Sequence, residues 1–137
     1  MTPPASFTPV MAGAASQDAA PVSPKNVPHR GGAANPSADA LKSKFGAAVR
    51  RVDVVWGETT VIVDQSKFLE IVRWLHDDAS QRYDFLVDVT AVEFRDAEMP
   101  IEVVWHVRSL PFRRFLRLKV LLEKGAALSV PSVWDIY

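Results

Sequence analysis

The sequence predicts an α+β domain: a mostly antiparallel or mixed sheet with two helices packed on it, behind a disordered amino-terminal tail. Three observations carry that expectation. Ala, Pro, Ser and Gly dominate residues 1–36, where apolar side chains are sparse. Extended runs recur at residues 52–56, 59–63, 84–94, 100–109 and 113–122. Residues 38–47 and 65–76 place apolar side chains at the spacing of one helix face. A length of 137 residues suits one folded unit, since domains cluster near roughly 100 to 150 residues.

Residues 1–36 hold prolines at positions 3, 4, 9, 21, 24, 28 and 36, each of which breaks any helix the alanines start. With too few apolar groups to offset backbone ordering, this segment is expected to be a disordered tail. Deleting residues 2–36 is then expected to leave the melting temperature nearly unchanged. The domain is expected over residues 37–137, with Ser37 capping a short helix in which Leu41 and Phe45 share a face.

Val52, Val54 and Trp56 alternate with Arg51, Asp53 and Val55, and a second extended run follows Gly57 and Glu58, which together predict a β-hairpin. Asp64 is placed to cap the next helix. Phe68, Ile71, Val72 and Leu75 form its buried stripe, and Asp77, Asp78 and Ser80 end it. The three later runs have connections short enough for an antiparallel meander. Ile101, Val103, Trp105 and Val107 fall on one face of their strand, as do Leu116, Leu118, Val120 and Leu122, and both sets are expected to face the core. Ser132 and Asp135 have the form of a capping box announcing a further helix.

Composition excludes several function classes. The hydrophobic fraction of 48% and charged fraction of 23% are those of an ordinary globular chain. Sixteen basic and sixteen acidic residues cancel, so no global field draws the chain to nucleic acid or anionic lipid. With no cysteine, thiolate nucleophiles, disulfides and cysteine-ligated clusters are ruled out. The apolar stretch 85–92 is interrupted by Asp88 and is far shorter than the roughly 20 residues of a membrane span, so any membrane association is expected to be indirect. The amino terminus lacks the basic-then-apolar order of an export signal.

Residue by residue, the chemistry of a catalyst is sparse. His29, His76 and His106 lie in the tail, on a helix and in a strand, with no metal-ligand spacing. Asp84, Asp88 and Glu93 are dense on one strand, yet alternation sends Asp88 and Glu93 to opposite faces, and Asp88 away from Phe85, Val87 and Val89. Asp88 is expected to serve in hydrogen bonding or ion pairing. No phosphate loop, dinucleotide turn or nucleophile elbow occurs. The best binding signal is basic: Arg113, Phe115, Arg117 and Lys119 share one face of an extended strand. That face is either solvated or a docking surface for an acidic partner, its charges projecting away from the core. With Asp88 and Trp134 these residues make up the candidate partner-binding set.

The segment Asp84-Phe85-Leu86-Val87-Asp88-Val89-Thr90-Ala91-Val92-Glu93-Phe94 is followed by Ile101-Glu102-Val103-Val104-Trp105-His106-Val107-Arg108-Ser109-Leu110, by Arg117-Leu118-Lys119-Val120 and by Ser132-Val133-Trp134-Asp135-Ile136-Tyr137. In that order these segments resemble the C subunit of bacterial proton-pumping NADH:quinone oxidoreductase, respiratory complex I. The resemblance runs over roughly residues 54–137. It implies a non-catalytic scaffold subunit of the peripheral arm, at the cytoplasmic face of the bacterial cell membrane. Such a scaffold supports electron transfer from NADH to quinone coupled to proton translocation. It carries no cofactor of its own: NADH, flavin, iron-sulfur clusters and quinone belong to partner subunits, and the quinone-site subunit is the foremost partner.

The Asn-Trp stretch and Glu-Arg-Glu signature that follow in that family do not occur before Tyr137, so the resemblance implies a truncated or split subunit. Three alternatives stand beside this reading. One is the homologous small subunit of a membrane-bound hydrogenase or related dehydrogenase. Another is a stand-alone binding module using the basic strand, and the last a small hydrolase centred on Asp88 and His106.

Overall fold

The computed structural model describes residues 32–95 and 97–137; most of the expected tail, residues 1–31, lies outside the described residues. Its last residues belong to the fold. Asn35, in extended conformation, caps helix α1 (Pro36–Phe45), accepting on Oδ1 from Ser37 N at 2.9 Å, and Pro36 occupies the first turn. The expected cap at Ser37 is therefore corrected: Ser37 is fully buried inside the helix, and its Oγ accepts from the Tyr83 hydroxyl at 2.9 Å. The boundary between residues 36 and 37 moves with it. A 3-10 turn (Gly46–Ala48) leads into strand β1 (Val49–Val55).

β1 and β2 (Glu58–Val63) form the expected hairpin, closed by Trp56 and Gly57, both at positive φ as a tight two-residue turn requires. Asp64 does not cap the next helix. It accepts from Arg50 Nε at 2.7 Å, and a 3-10 turn (Gln65–Lys67) leads into α2 (Phe68–Asp77). The α2 stripe stands as expected, with Phe68, Ile71, Val72 and Leu75 all buried. Asp78 ends the helix by accepting from Ser80 N and Oγ, which hold its carboxyl below the usual carboxylate range.

Strands β3 (Phe85–Glu93), β4 (Ile101–Ser109) and β5 (Arg114–Leu122) make the antiparallel meander. The five-stranded sheet runs β1-β2-β5-β4-β3, so β2 pairs with β5, and that pair is parallel. The sheet is mixed. On its core face Trp105 stands opposite Leu118 and stacks on Phe68 with ring centroids 4.0 Å apart, while Val103, Val107, Leu116 and Val120 continue the layer beneath the helices. Val87 sits at a bulge, between the Leu86–Val107 and Asp88–His106 pairs. The bulge overturns one expectation from simple alternation: Phe85, opposite Arg108, shares its face with Asp88.

After β5 the chain returns to the helix side, where Val133 is buried and the Tyr137 hydroxyl donates to Tyr83 O at 3.0 Å. Ser132 Oγ accepts from Trp134 N at 3.2 Å, but the expected further helix is corrected to a single turn over residues 134–136. No helix among the described residues is long and apolar enough to cross a membrane.

Asn35 ties these parts together. Its N–H donates to Thr59 Oγ1 on β2, and its Nδ2 donates to Phe115 O on β5 and to the Tyr83 Oη. We predict that Asn35→Ala costs about 2 to 3 kcal/mol in urea unfolding, the sum of a lost cap and of buried acceptors left unpaired. Deleting residues 2–36, which removes Asn35, should cost at least as much; an unchanged midpoint for either variant contradicts this role.

Candidate partner-binding face

The sheet face turned away from the helices holds most of the sequence-predicted set. In-register pairing lays Asp53, Thr60, Arg117, His106 and Asp88 in one row across all the strands. Arg117 is the centre of that row. Its Nε donates to His106 Nε2 at 2.9 Å, its Nη1 to Thr60 Oγ1 at 3.3 Å, and its Nη2 to Glu58 Oε2 at 2.9 Å. A guanidinium only donates, so His106 Nε2 is an acceptor and the neutral ring carries its proton on Nδ1. That atom lies 3.9 Å from Asp88 Oδ2, too long for a direct hydrogen bond but close enough for the carboxylate to favour protonation of the ring. Phe115 stacks on the other side, its ring 5.7 Å from the imidazole at an interplanar angle of 18°.

One row further, Lys119 Nζ donates to Glu102 Oε2 at 2.7 Å. The Glu102 side chain is only 3% exposed and that of Lys119 25%, so removing the lysine takes an ion-pair partner from a buried carboxylate and destabilises the fold. The expected basic strand face is thereby corrected in part. Arg117 and Lys119 do point away from the core, but both are paired within the chain. Arg113 falls outside β5, at positive φ in the preceding turn, and does not share the strand face. Phe115 is half-buried against His106. Asp88 keeps 59% of its side chain exposed.

Trp134 is 84% exposed and lies elsewhere, at a hollow of about 490 Å³ that it lines with Phe85, Leu86, Val133 and Tyr137 at the start of β3. Sequence reasoning missed Glu58, Thr60 and Glu102. The alternation that put His106 on this face also places Glu102 there, and pairing two consecutive strands as a hairpin would have set both beside Arg117 and Lys119. Among the described residues, no group of three or more His, Cys, Asp or Glu could hold a metal ion.

Over residues 61–137 the chain matches the family described as the 30 kDa subunit of respiratory-chain NADH dehydrogenase. The chain belongs to that family. Among curated relatives, the NADH-quinone oxidoreductase C subunit of Rhodopseudomonas palustris (strain BisB18) is 34% identical over 99 residues, covering 72% of this chain and 49% of the relative. The corresponding protein of Citrifermentans bemidjiense is 35% identical, covering 69% of this chain and 59% of that one. For Rhodobacter capsulatus the figures are 38%, 62% and 42%. The chain thus spans about half the length of these relatives. Among solved structures, one chain of an archaeal respiratory membrane complex, the membrane-bound sulfane sulfur reductase, superposes with a TM-score of 0.58. The match covers 75% of this chain and 60% of that one at 18% identity, which establishes a shared fold.

His106 titrates below the usual histidine value of 6.5, chiefly because burial disfavours the charged ring and next because the Arg117 charge repels it; Asp88 and Glu58 oppose both. The unfolded chain therefore binds the proton more readily than the folded one. The stability that His106 contributes is complete above about pH 6.5 and is lost as pH falls through the folded-state value. We predict an NMR titration midpoint for His106 below 6.5 that rises in Arg117→Gln. A native midpoint at or above 6.5 contradicts the geometry.

Proposed function

We propose that this chain is a non-catalytic scaffold subunit of the peripheral arm of an NADH:quinone oxidoreductase. In that role it holds partner subunits in register while they carry electrons from NADH to quinone and couple the transfer to proton translocation. The observation that supports this most is family membership across residues 61–137, together with the similarity to NADH-quinone oxidoreductase C subunits. The residue chemistry agrees. A chain without cysteine supplies no thiolate for an iron-sulfur cluster, and Arg117 and Lys119 on the sheet face are paired with Glu58 and Glu102, as suits a rigid platform.

In this reading NADH, flavin, clusters and quinone all reside in partners. The chain docks on the other hydrophilic subunits, the quinone-site subunit foremost, and meets the membrane only through the complex, on its cytoplasmic side. Arg113, Phe115, Asp88 and Trp134 remain candidates for contact. Arg117 and Lys119 act there by holding the face in shape, since their charges are already paired.

The test is co-purification. An affinity-tagged copy expressed in the native host is predicted to bring down the peripheral-arm subunits with NADH:quinone activity, while the isolated chain binds no NADH, flavin, quinone or metal. Failure to recover those subunits, or a stoichiometric metal or saturable flavin signal on the isolated chain, overturns the proposal.

A further inference from the structure

The two edges of the sheet differ in the apolar surface they expose. A strand edge exposes unpaired N–H and C=O groups, and proteins commonly guard it with charge. β1 follows that practice, with Arg50, Arg51 and Asp53 within its seven residues. β3 differs. It is nine residues long, pairs among the described residues only with β4, and leaves Phe85, Val87, Val89 and Val92 between 42% and 48% exposed. Val89 stands opposite Trp105 and so faces the helix side, whereas Val92 stands opposite Glu102 and faces the other. Apolar side chains are therefore exposed on both faces of this edge strand, beside Asp88 on one and Glu93 on the other. The hollow at its start, lined by Phe85, Leu86, Trp134 and Tyr137, continues the same apolar surface.

We infer that β3 is a strand-addition site: it accepts an extended segment of a neighbouring subunit as a sixth strand, whose end anchors in the hollow beside Trp134. Main-chain hydrogen bonds supply the affinity, and the side chains on both faces set the register. The chemistry of the occupant follows from charge. From Asp84 to Glu93 the strand carries three acids, Asp84, Asp88 and Glu93, and no base. The complementary segment alternates apolar residues with Lys or Arg. A second copy of this chain fits poorly, because pairing β3 with β3 sets those acids against their like. The bulge at Val87 leaves residues 88–93 as the regular stretch on which pairing proceeds.

The inference rests on the scaffold reading, since it needs a partner subunit. Its test is amide hydrogen exchange on the full chain, alone and within the purified complex. In the free chain the outward amides of residues 88–93 exchange rapidly. In the complex, alternate amides there are expected to slow by roughly ten-fold or more, with β1 unchanged as the control edge. A chain that joins the complex while its β3 amides exchange as fast as before, or whose protection falls on β1, overturns strand addition and leaves the scaffold reading standing. A chain that joins no complex overturns the scaffold reading and this inference with it. Protection already present in the isolated chain assigns the edge to a second copy or to the chain itself, and overturns the inference as well.

Discussion

The pairing of Thr60, Val61 and Ile62 with Arg117, Leu118 and Lys119 is the join on which the architecture depends. On one side of it lies the β1–β2 hairpin, on the other the β3–β4–β5 meander, and each is locally connected while the parallel seam is not. Parallel pairing is slightly weaker per residue than antiparallel and closes a long loop, so the seam needs support from outside the ladder. It has support on three sides. On the core face Val61 and Leu118 are sealed beneath the helices; on the other face Arg117 reaches across to Thr60 and Glu58; at its amino-terminal end Asn35 bonds Thr59 and Phe115. Burial also pushes the Tyr83 phenol up, so it stays protonated and donates to Ser37, fastening α1 to the same point.

This arrangement bears on function. Arg117 and Lys119 are the residues a charge-based reading puts forward for a partner, yet the fold uses them internally: one clamps the seam and reaches His106, the other neutralises a buried carboxylate. Apolar side chains are exposed instead along the β3 edge and at the hollow beside Trp134, next to Asp84, Asp88 and Glu93. In the scaffold role proposed for the chain, internal ion pairs supply rigidity while strand edge and aromatic surface are left for neighbours.

Much of the fold was legible because it is periodic. Phe68, Ile71, Val72 and Leu75 announce α2 through helical spacing, and β4 and β5 announce their core faces through alternation. What could not be read depends on distant partners. Asn35 sits in a run of Ala, Gly and Pro, and its partners lie 24, 48 and 80 residues away. Its capping role did have a local signal, since Pro36 in first-turn position implies a cap just before it, but Ser37 offered a competing one. Asp64 satisfies a capping rule locally, yet Arg50 from the preceding strand takes its carboxylate. The Val87 bulge and the displacement of Arg113 into a turn left no mark on the alternation, so the faces of Phe85 and Arg113 were misassigned.

If the seam unites the two halves, they must open together, which native-state hydrogen exchange measures directly. The account predicts that amides of residues 60–62 and 117–119 exchange with the same free energy as the β4–β5 ladder, and that weakening the pin at Asn35 lowers all of them equally. Seam amides that open at distinctly lower free energy, with the β1–β2 hairpin detaching while β4–β5 stays protected, would contradict it.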